Sequence, residues 1–483
     1  MPYSKNPVVQ TYDTKRVNFI ANPQQRSTSK NKDFRLTNMM VEVIQSPIGE
    51  QKKYYVKSRP GLTKIYDTQA AVGRGLYYWV VSGTSYAMAA VGNKIYSNGT
   101  AVLTLSTSTG QVGFTEFVNS SGVVSLIVVD GTNGYVFSTP STYTQITDAS
   151  FPSPHIPTPI FLDGYLFIAK KDSQDVYNSN LNLPLVWSGA GSGFLSAEMY
   201  PDKIVALSKN NNYIYAIGSN TVEYFYDAAN ATGTPLARHQ SAVQQFGTVA
   251  EASVVQTEKE VIFIGETGSG GHTVWTIDGF KEKEIGIPAI KSALLAEGSS
   301  LKDATAFSIR TAGQKCYVIN LTYRTLVYSF DTQMWHEWET GTSPFLGIYG
   351  SDGDNGSSNI LDRATGAIYA MDETKFTDNG TAIICSIVSA KIDFDTMNRK
   401  MMYRLSMVGD VPDDTLVDTA VSVSWSDDDY KTWSTARTLT FNADLPAIFQ
   451  LGQFRRRAFK ITYSLPHLLR LEGIEVDINK GNT

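Results

Sequence analysis

Residues 313–340 read GQKCYVINLTYRTLVYSFDTQMWHEWET. Residues 316–320 and 325–330 are short runs of β-branched and aromatic side chains joined by a few polar ones, the pattern of a hairpin. Asp331 and Thr332 then form a turn, because an aspartate carboxylate accepts from nearby backbone amides and aspartate tolerates turn dihedrals. Trp335 and Trp338 follow on one more short strand as packing residues. One such sheet cannot bury both of its faces, so it needs copies of itself alongside.

The chain supplies them between residues 75 and 376. Alternating strands cluster at 76–82, 86–91, 94–97 and 101–105, then at 112, 123–130, 134–138 and 143–146. A third cluster runs through 160–162, 165–169, 175–177 and 185–187, and a fourth through 203–207, 213–218 and 221–226. The fifth covers 253–256, 260–265, 273–277 and 282–285. The opening stretch is the sixth, and 345–349 with 366–371 makes a seventh. Seven units give about 43 residues each, within the ~40–50 of a propeller blade. The sequence therefore reads as an all-β chain with a β-propeller, seven blades favoured over six.

The flanks read differently. Residues 1–60 form an extended N-terminal arm with strands at 17–20 and 39–44 and a polar loop at 24–33, packing on the C-terminal domain or on a neighbouring subunit. The propeller takes residues 61–380. Residues 381–483 read as a β-sandwich-like platform, with strands at 382–394, 403–408, 421–425, 438–441, 458–463 and 474–478.

Composition agrees with an all-β chain. Of 483 residues, 42% are hydrophobic and only 18% charged, with 26 Tyr, 22 Phe and 38 Gly. Aromatic residues suit pleated surfaces, and glycine suits tight turns. A net charge of −5 gives no overall bias toward nucleic acid. No apolar run approaches the ~20 residues that span a bilayer, and the N-terminus lacks a signal-peptide pattern. Cys316 and Cys385 sit in apolar runs and read as buried hydrophobes.

Chemistry-bearing motifs are sparse. Residues 426–433, SDDDYKTW, nearly match the Asp-box pattern S-x-D-x-G-x-T-W, with Tyr430 where glycine is expected. Asp428 would cap a tight hairpin and Trp433 would pack beneath it. Calcium binding by the three carboxylates is the lesser reading, since a hard cation takes six or more oxygens. A glycosidase needs two carboxylates across a cleft; Glu223, Glu251 and Asp331 are present, but no spacing selects a pair. The five histidines show no metal-ligand spacing. GETGSGG at 265–271 lacks the Lys-Ser/Thr of a phosphate loop and reads as a hairpin turn. No catalytic residue, metal site or cofactor is expected.

Arg455, Arg456 and Arg457 with Lys460 form the one dense basic cluster. On a strand, Arg455 and Arg457 share a face and Arg456 points to the other. A solvated or interface-rim strand, ion pairing with a partner subunit, and phosphate contact remain open there.

Several pieces, taken in order, resemble the tail-hub, or nozzle, proteins of short-tailed bacteriophages, also known as packaged-DNA stabilisation proteins. They are Val17-Asn18; Arg59-Pro60-Gly61-Leu62-Thr63-Lys64 with Tyr66-Asp67; Gly218-Ser219-Asn220-Thr221-Val222-Glu223-Tyr224-Phe225; 244–247; and Arg456-Arg457-Ala458-Phe459-Lys460 leading into 471–478. The resemblance implies a non-enzymatic virion protein, assembled in the host cytoplasm into a homohexameric ring below the portal and its adaptor. Its implied partners are the adaptor, a tail needle or plug, tailspikes or fibres, and double-stranded DNA passing through without sequence-specific binding. The competing reading is a carbohydrate-binding or glycoside-hydrolysing propeller.

Overall fold

The computed structural model describes residues 12–20, 34–45, 52–267, 270–353, 356–410, 419–441 and 443–481. The polar loop expected at 24–33 lies outside them, as does part of the 265–271 turn. The chain divides into two compact units, Pro60–Asn379 on one hand and Met1–Arg59 with Gly380–Thr483 on the other.

The first unit is a ring of four-stranded antiparallel sheets, seven of them among the described residues. Blade one is Gly73–Val81, Thr84–Val91, Lys94–Ser97 and Thr100–Thr104. Blades two and three span Gly113–Val118 to Thr142–Gln145 and Ile160–Leu162 to Gly193–Ser196. Blade four runs from Ile204–Asn210 to Leu236–Gln244, and blade five from Phe246–Gly247 to Lys281–Glu284. Blade six is Thr305–Thr311, Gln314–Asn320, Thr325–Ser329 and Met334–Thr340. The stretch quoted first is therefore the outer three-quarters of a blade.

Blade seven explains how the ring closes. Gly347–Asp352, Ser358–Asp362 and Ile368–Asp372 supply three strands, and Gly61–Tyr66, from ahead of blade one, supplies the fourth. Leu62 lies opposite Met371, and Tyr66 opposite Ile368. Joining the two ends of the repeat in one sheet removes the open edge that a linear array would leave.

Blade faces are apolar on both sides because each meets a neighbour. In Val124–Val129, Leu126 and Val128 pack toward blade one, whereas Ile127 and Val129 pack toward blade three. Buried clusters of this kind, each drawn from two consecutive blades, join three to four, four to five, five to six and seven to one. Burying one such side chain fully contributes roughly 1.5–3 kcal/mol.

Some expected strands are absent and others are new. Residues 185–187 are not a strand: buried Trp187 packs edge-on to Phe151, 5.0 Å between ring centres, and donates to the Pro184 carbonyl at 3.0 Å. Gly193–Ser196 pairs in their place. Leu236–Gln244, Thr305–Thr311 and Ser358–Asp362 complete blades four, six and seven. A helix, α1 (Pro288–Glu297), lies between blades five and six. Proline at its first turn suits a helix start, and Gly298 at φ 55° ends it.

The second unit holds two sheets. One is ordered Met39–Gln45, Lys52–Ser58, Arg470–Lys480, Lys400–Asp410 and Ala447–Phe454, with Asp13–Asn18 also paired to Arg470–Lys480. The other includes Arg35–Thr37, Cys385–Val388, Ala458–Tyr463, Ala420–Ser426 and Arg437–Thr440. Strands from both chain ends thus interleave.

Candidate functional site

The loops at one end of the ring surround a central cavity of about 580 Å³, lined from blades one, two, three, five, six and seven. Most of its polar wall is internally satisfied. Buried Arg74 donates through Nε to Gly110 O (2.7 Å) and through its terminal nitrogens to Gly92 O, Thr107 O, Thr107 Oγ1 and Thr109 O (2.7–2.8 Å). Asp130 accepts from the Thr132 and Asn133 amides at 3.0 and 2.7 Å, and from the Thr107 hydroxyl at 3.1 Å. His155 lies between Pro152 O and the Gly131 amide, 2.9 and 3.2 Å away. Burial pulls its pKa down to about 4, so it is neutral at ordinary pH.

Glu251 differs. It sits on a 3-10 turn, Glu251–Ser253, and burial pushes its carboxyl up to about 7, opposed by the charge of Lys171. The sequence offers no signal for this cavity, because its residues come from six blades and converge only when the ring closes.

The structure separates the basic cluster. Residues 455–456 form a bend, not strand, so the alternation expected there fails. Arg455 is exposed and donates to Met397 O at 2.7 Å; Arg456 is exposed. Lys460 is half-buried on a strand flanked by Val388 and Ser424. Arg457 must be corrected: it is 1% exposed and cannot meet a partner. Its Nε and Nη2 bind the two oxygens of Asp427, each at 2.8 Å, and Nη1 donates to Leu451 O at 2.9 Å. Its guanidinium lies 4.4 Å from the Phe454 ring centre and 5.3 Å from that of Trp425. A guanidinium leaves water only when its donors and its flat faces are both matched.

The near-Asp-box turn is next to it. Asp428 accepts from the Thr432 amide (2.9 Å), the Thr432 hydroxyl (2.6 Å) and the Ser426 hydroxyl (2.9 Å), which hold its carboxyl down to about 2. Trp433 packs against Val388, Tyr430 and Ala458. Asp427 pairs with Arg457 and Asp429 with Lys391, so the three adjacent carboxylates diverge to three partners. Tyr430 adopts φ 62° where the motif has glycine, and its buried ring and hydroxyl bond to Ser389 O (3.0 Å) offset that strain. In blade six, Asp331 accepts from the Lys315 amide at 2.8 Å. Trp335 donates to Ile285 O at 3.0 Å, and Trp338 is fully buried with Phe345 edge-on at 5.3 Å.

A family model described as Bacteriophage P22 Gp10, beta-propeller, matches residues 22–375. The chain belongs to that family. It is a structural bacteriophage protein of the tail-nozzle, packaged-DNA-stabilising kind.

No curated protein matches the chain. Among solved structures, the extracellular domain of BT4673 from B. thetaiotaomicron aligns at TM-score 0.44 and 10% identity, over 71% of this chain and only 43% of that one. The Cps50 (Swd1) β-propeller domain of Myceliophteria thermophila aligns at 0.40 and 7%, covering 64% and 98%. Virginiamycin B lyase from Staphylococcus aureus aligns at 0.41 and 9%, covering 66% and 99%.

Within this P22 Gp10-type chain, the motif residues named in the sequence have structural jobs. The Pro60-Gly61-Leu62-Thr63-Lys64 piece leads into the strand that closes the ring. The Gly218–Phe225 and 244–247 pieces meet: a Cβ on Gly247 would lie 2.2 Å from the Gly218 carbonyl oxygen, so only glycine fits. The turn before Val222 is held by Asp202, which accepts from the Asn220 and Thr221 amides at 2.9 and 3.1 Å. Glu223 is 1% exposed, pairs with Arg238 Nε at 2.9 Å and accepts from the Met199 amide at 2.9 Å. It ties blade four's outer strand to its neighbour through Arg238. Among the described residues, no helix is long and apolar enough to cross a membrane.

Proposed function

We propose that this protein forms the nozzle ring of a short-tailed phage, as a homohexamer below the portal and adaptor. There it extends the DNA channel, helps retain packaged DNA and conducts it during ejection. The observation that carries this reading is the family match across residues 22–375. The build supports it: a propeller closed through its own N-terminal strand makes a stiff wall block. The net charge of −5 supports passage over retention by the wall itself, because DNA affinity grows with each phosphate neutralised.

In this reading the adaptor, a needle or plug, and tailspikes or fibres dock on the ring, and the protein resides in the virion tail after assembly in the host cytoplasm. Exposed Arg455 and Arg456 are candidates for subunit or partner contact, with Lys460 at their edge. The DNA-facing surface of the hexamer carries no continuous Lys/Arg lining. The test is light-scattering mass with negative-stain imaging of the purified chain. Six-fold rings are expected. A monomer that binds sugars on a glycan array would replace this reading with a carbohydrate-binding propeller.

A further inference from the structure

The rim of the ring is divided. The outer strands of blades one to three, Thr100–Thr104, Thr142–Gln145 and Gly193–Ser196, hold no charged side chain. Those of blades four to seven do: Arg238, the Lys-Glu alternation of Lys281–Glu284, Glu337 with Glu339, and Lys64. Between Ile95 and Leu162 the charged residues are Glu116, Asp130 and Asp148, and none is basic. Exposed apolar side chains follow the same division. Blades two and three show Val123, Tyr143, Leu181, Leu183, Leu185 and Phe194, the last 53% exposed and stacked on Tyr177 at 5.2 Å. On the strands and turns of blades four to seven they are, among the described residues, Ile65, Tyr226 and Tyr323.

Blades two and three share this face. The leucine-bearing loop of blade three lies on blade two, where the Trp187 and Ser188 amides donate to Asp148 at 2.7 and 3.0 Å. Blade two's outer strand, Thr142–Gln145, is wholly exposed and pairs only with Gly134–Thr139. Free strand edges are ordinarily guarded by charge, and this one is not. Missing charge together with exposed aromatic and aliphatic side chains marks the core of a protein contact.

The second unit, taken by itself, carries a face of the same kind. Ala447–Phe454, AIFQLGQF, ends its sheet and holds no charged residue. Phe449 is 49% exposed, and exposed Leu445 precedes it. Its flanks are basic: Arg437 donates to the Phe449 carbonyl, and exposed Arg455 and Arg456 follow the strand, with Asp444 the acid beside Leu445.

We propose that these are the two sides of the contact between copies of this chain: the Phe449 strand of one copy seats on the blade two and three face of the next. The assignment rests on the homohexameric reading above. A head-to-tail ring needs two unlike, complementary faces on every subunit, whereas one face meeting itself closes a two-fold dimer. The chain supplies two such faces, both apolar at their centres. The basic flank of one meets a sector whose few charges are acidic, which sets the orientation of docking.

Light-scattering mass with negative-stain imaging of the full chain tests this on two variants, Leu183→Lys/Phe194→Lys and Phe449→Lys. A lysine placed in a desolvated apolar contact is penalised, so each variant alone should fall from rings to single chains. Each should melt with the wild type, because the replaced side chains are exposed. Mixed one to one, the two variants keep one intact face each and should form dimers that grow no further. Tyr323→Lys, at an exposed apolar residue outside both faces, should keep its rings. Rings that persist in either variant, mixtures that stay monomeric, or rings lost from Tyr323→Lys as well would overturn this interface while leaving the ring itself standing. A monomeric wild type would overturn the ring reading and the interface with it.

Discussion

The ring and the second unit solve the same problem with different chemistry. In the ring, each sheet finds an apolar neighbour on either side, so apolar packing joins blade to blade. The second unit must bring strands from both chain ends into one register. There the links are charged. Arg404 pairs with Glu475 at 2.9 Å and Asp477 at 2.7 Å, Arg16 with Glu472 at 2.7 Å, and Arg457 with Asp427. Arg470 reaches across strand Lys52–Ser58 to Glu42 at 2.7 Å, its guanidinium 3.9 Å from the Tyr55 ring centre. Repeats can afford unspecific apolar faces because any blade fits its neighbour. Long-range strand pairing gains its register from pairs that fit in only one place.

The sharpest break of this contrast is Asp427→Ala. It leaves Arg457 buried without its carboxylate and should cost roughly 3–5 kcal/mol in the second unit, read by calorimetry as a shift of one transition. The double substitution Asp427→Ala/Arg457→Met should recover much of that loss, because the orphaned charge is gone. In the ring, Leu62→Ala on the closing strand should cost about 2–5 kcal/mol through the cavity it leaves, measured by denaturant unfolding followed by tryptophan fluorescence. High salt should lower the second unit's stability more than the ring's.

Smaller effects come from pH. Asp428 is held down to about 2 in the folded state, so its contribution is complete above the unfolded carboxylate pKa near 4 and is lost as pH falls through 2. Asp428→Asn should therefore melt below wild type at pH 7, with the gap narrowing by pH 2. His336 moves the other way. It is 2% exposed, both ring nitrogens lack a partner among the described residues, and burial lowers its pKa to about 4. The unfolded chain takes up that proton first, so stability falls as pH drops from 6.5 toward 4. His336→Phe should flatten this slope in melting curves while changing little at pH 7; an unchanged slope would assign the acid sensitivity elsewhere.

Periodicity was readable wherever a strand packs on both faces. Val124–Val129 and Gln314–Asn320 announce themselves through unbroken apolar runs. Strands whose pattern is diluted did not: Leu236–Gln244 reads LARHQSAVQ, and Thr305–Thr311 reads TAFSIRT. Leu185 to Trp187 misled because a loop buries its tryptophan as a strand would. The strand Gly61–Tyr66 has its partner some 300 residues away, a pairing no local pattern encodes. The same distance problem hid the axial cavity. Arg457 was read by strand alternation, and the bend at 455–456 reset the phase so that it faces inward.

The most direct test of the structural role is to assemble phage particles without this protein and measure how much packaged DNA becomes nuclease-sensitive. Filled heads that leak their DNA, rescued by adding the purified chain, are the result expected. Heads that keep their DNA and eject it normally without the protein would contradict the account.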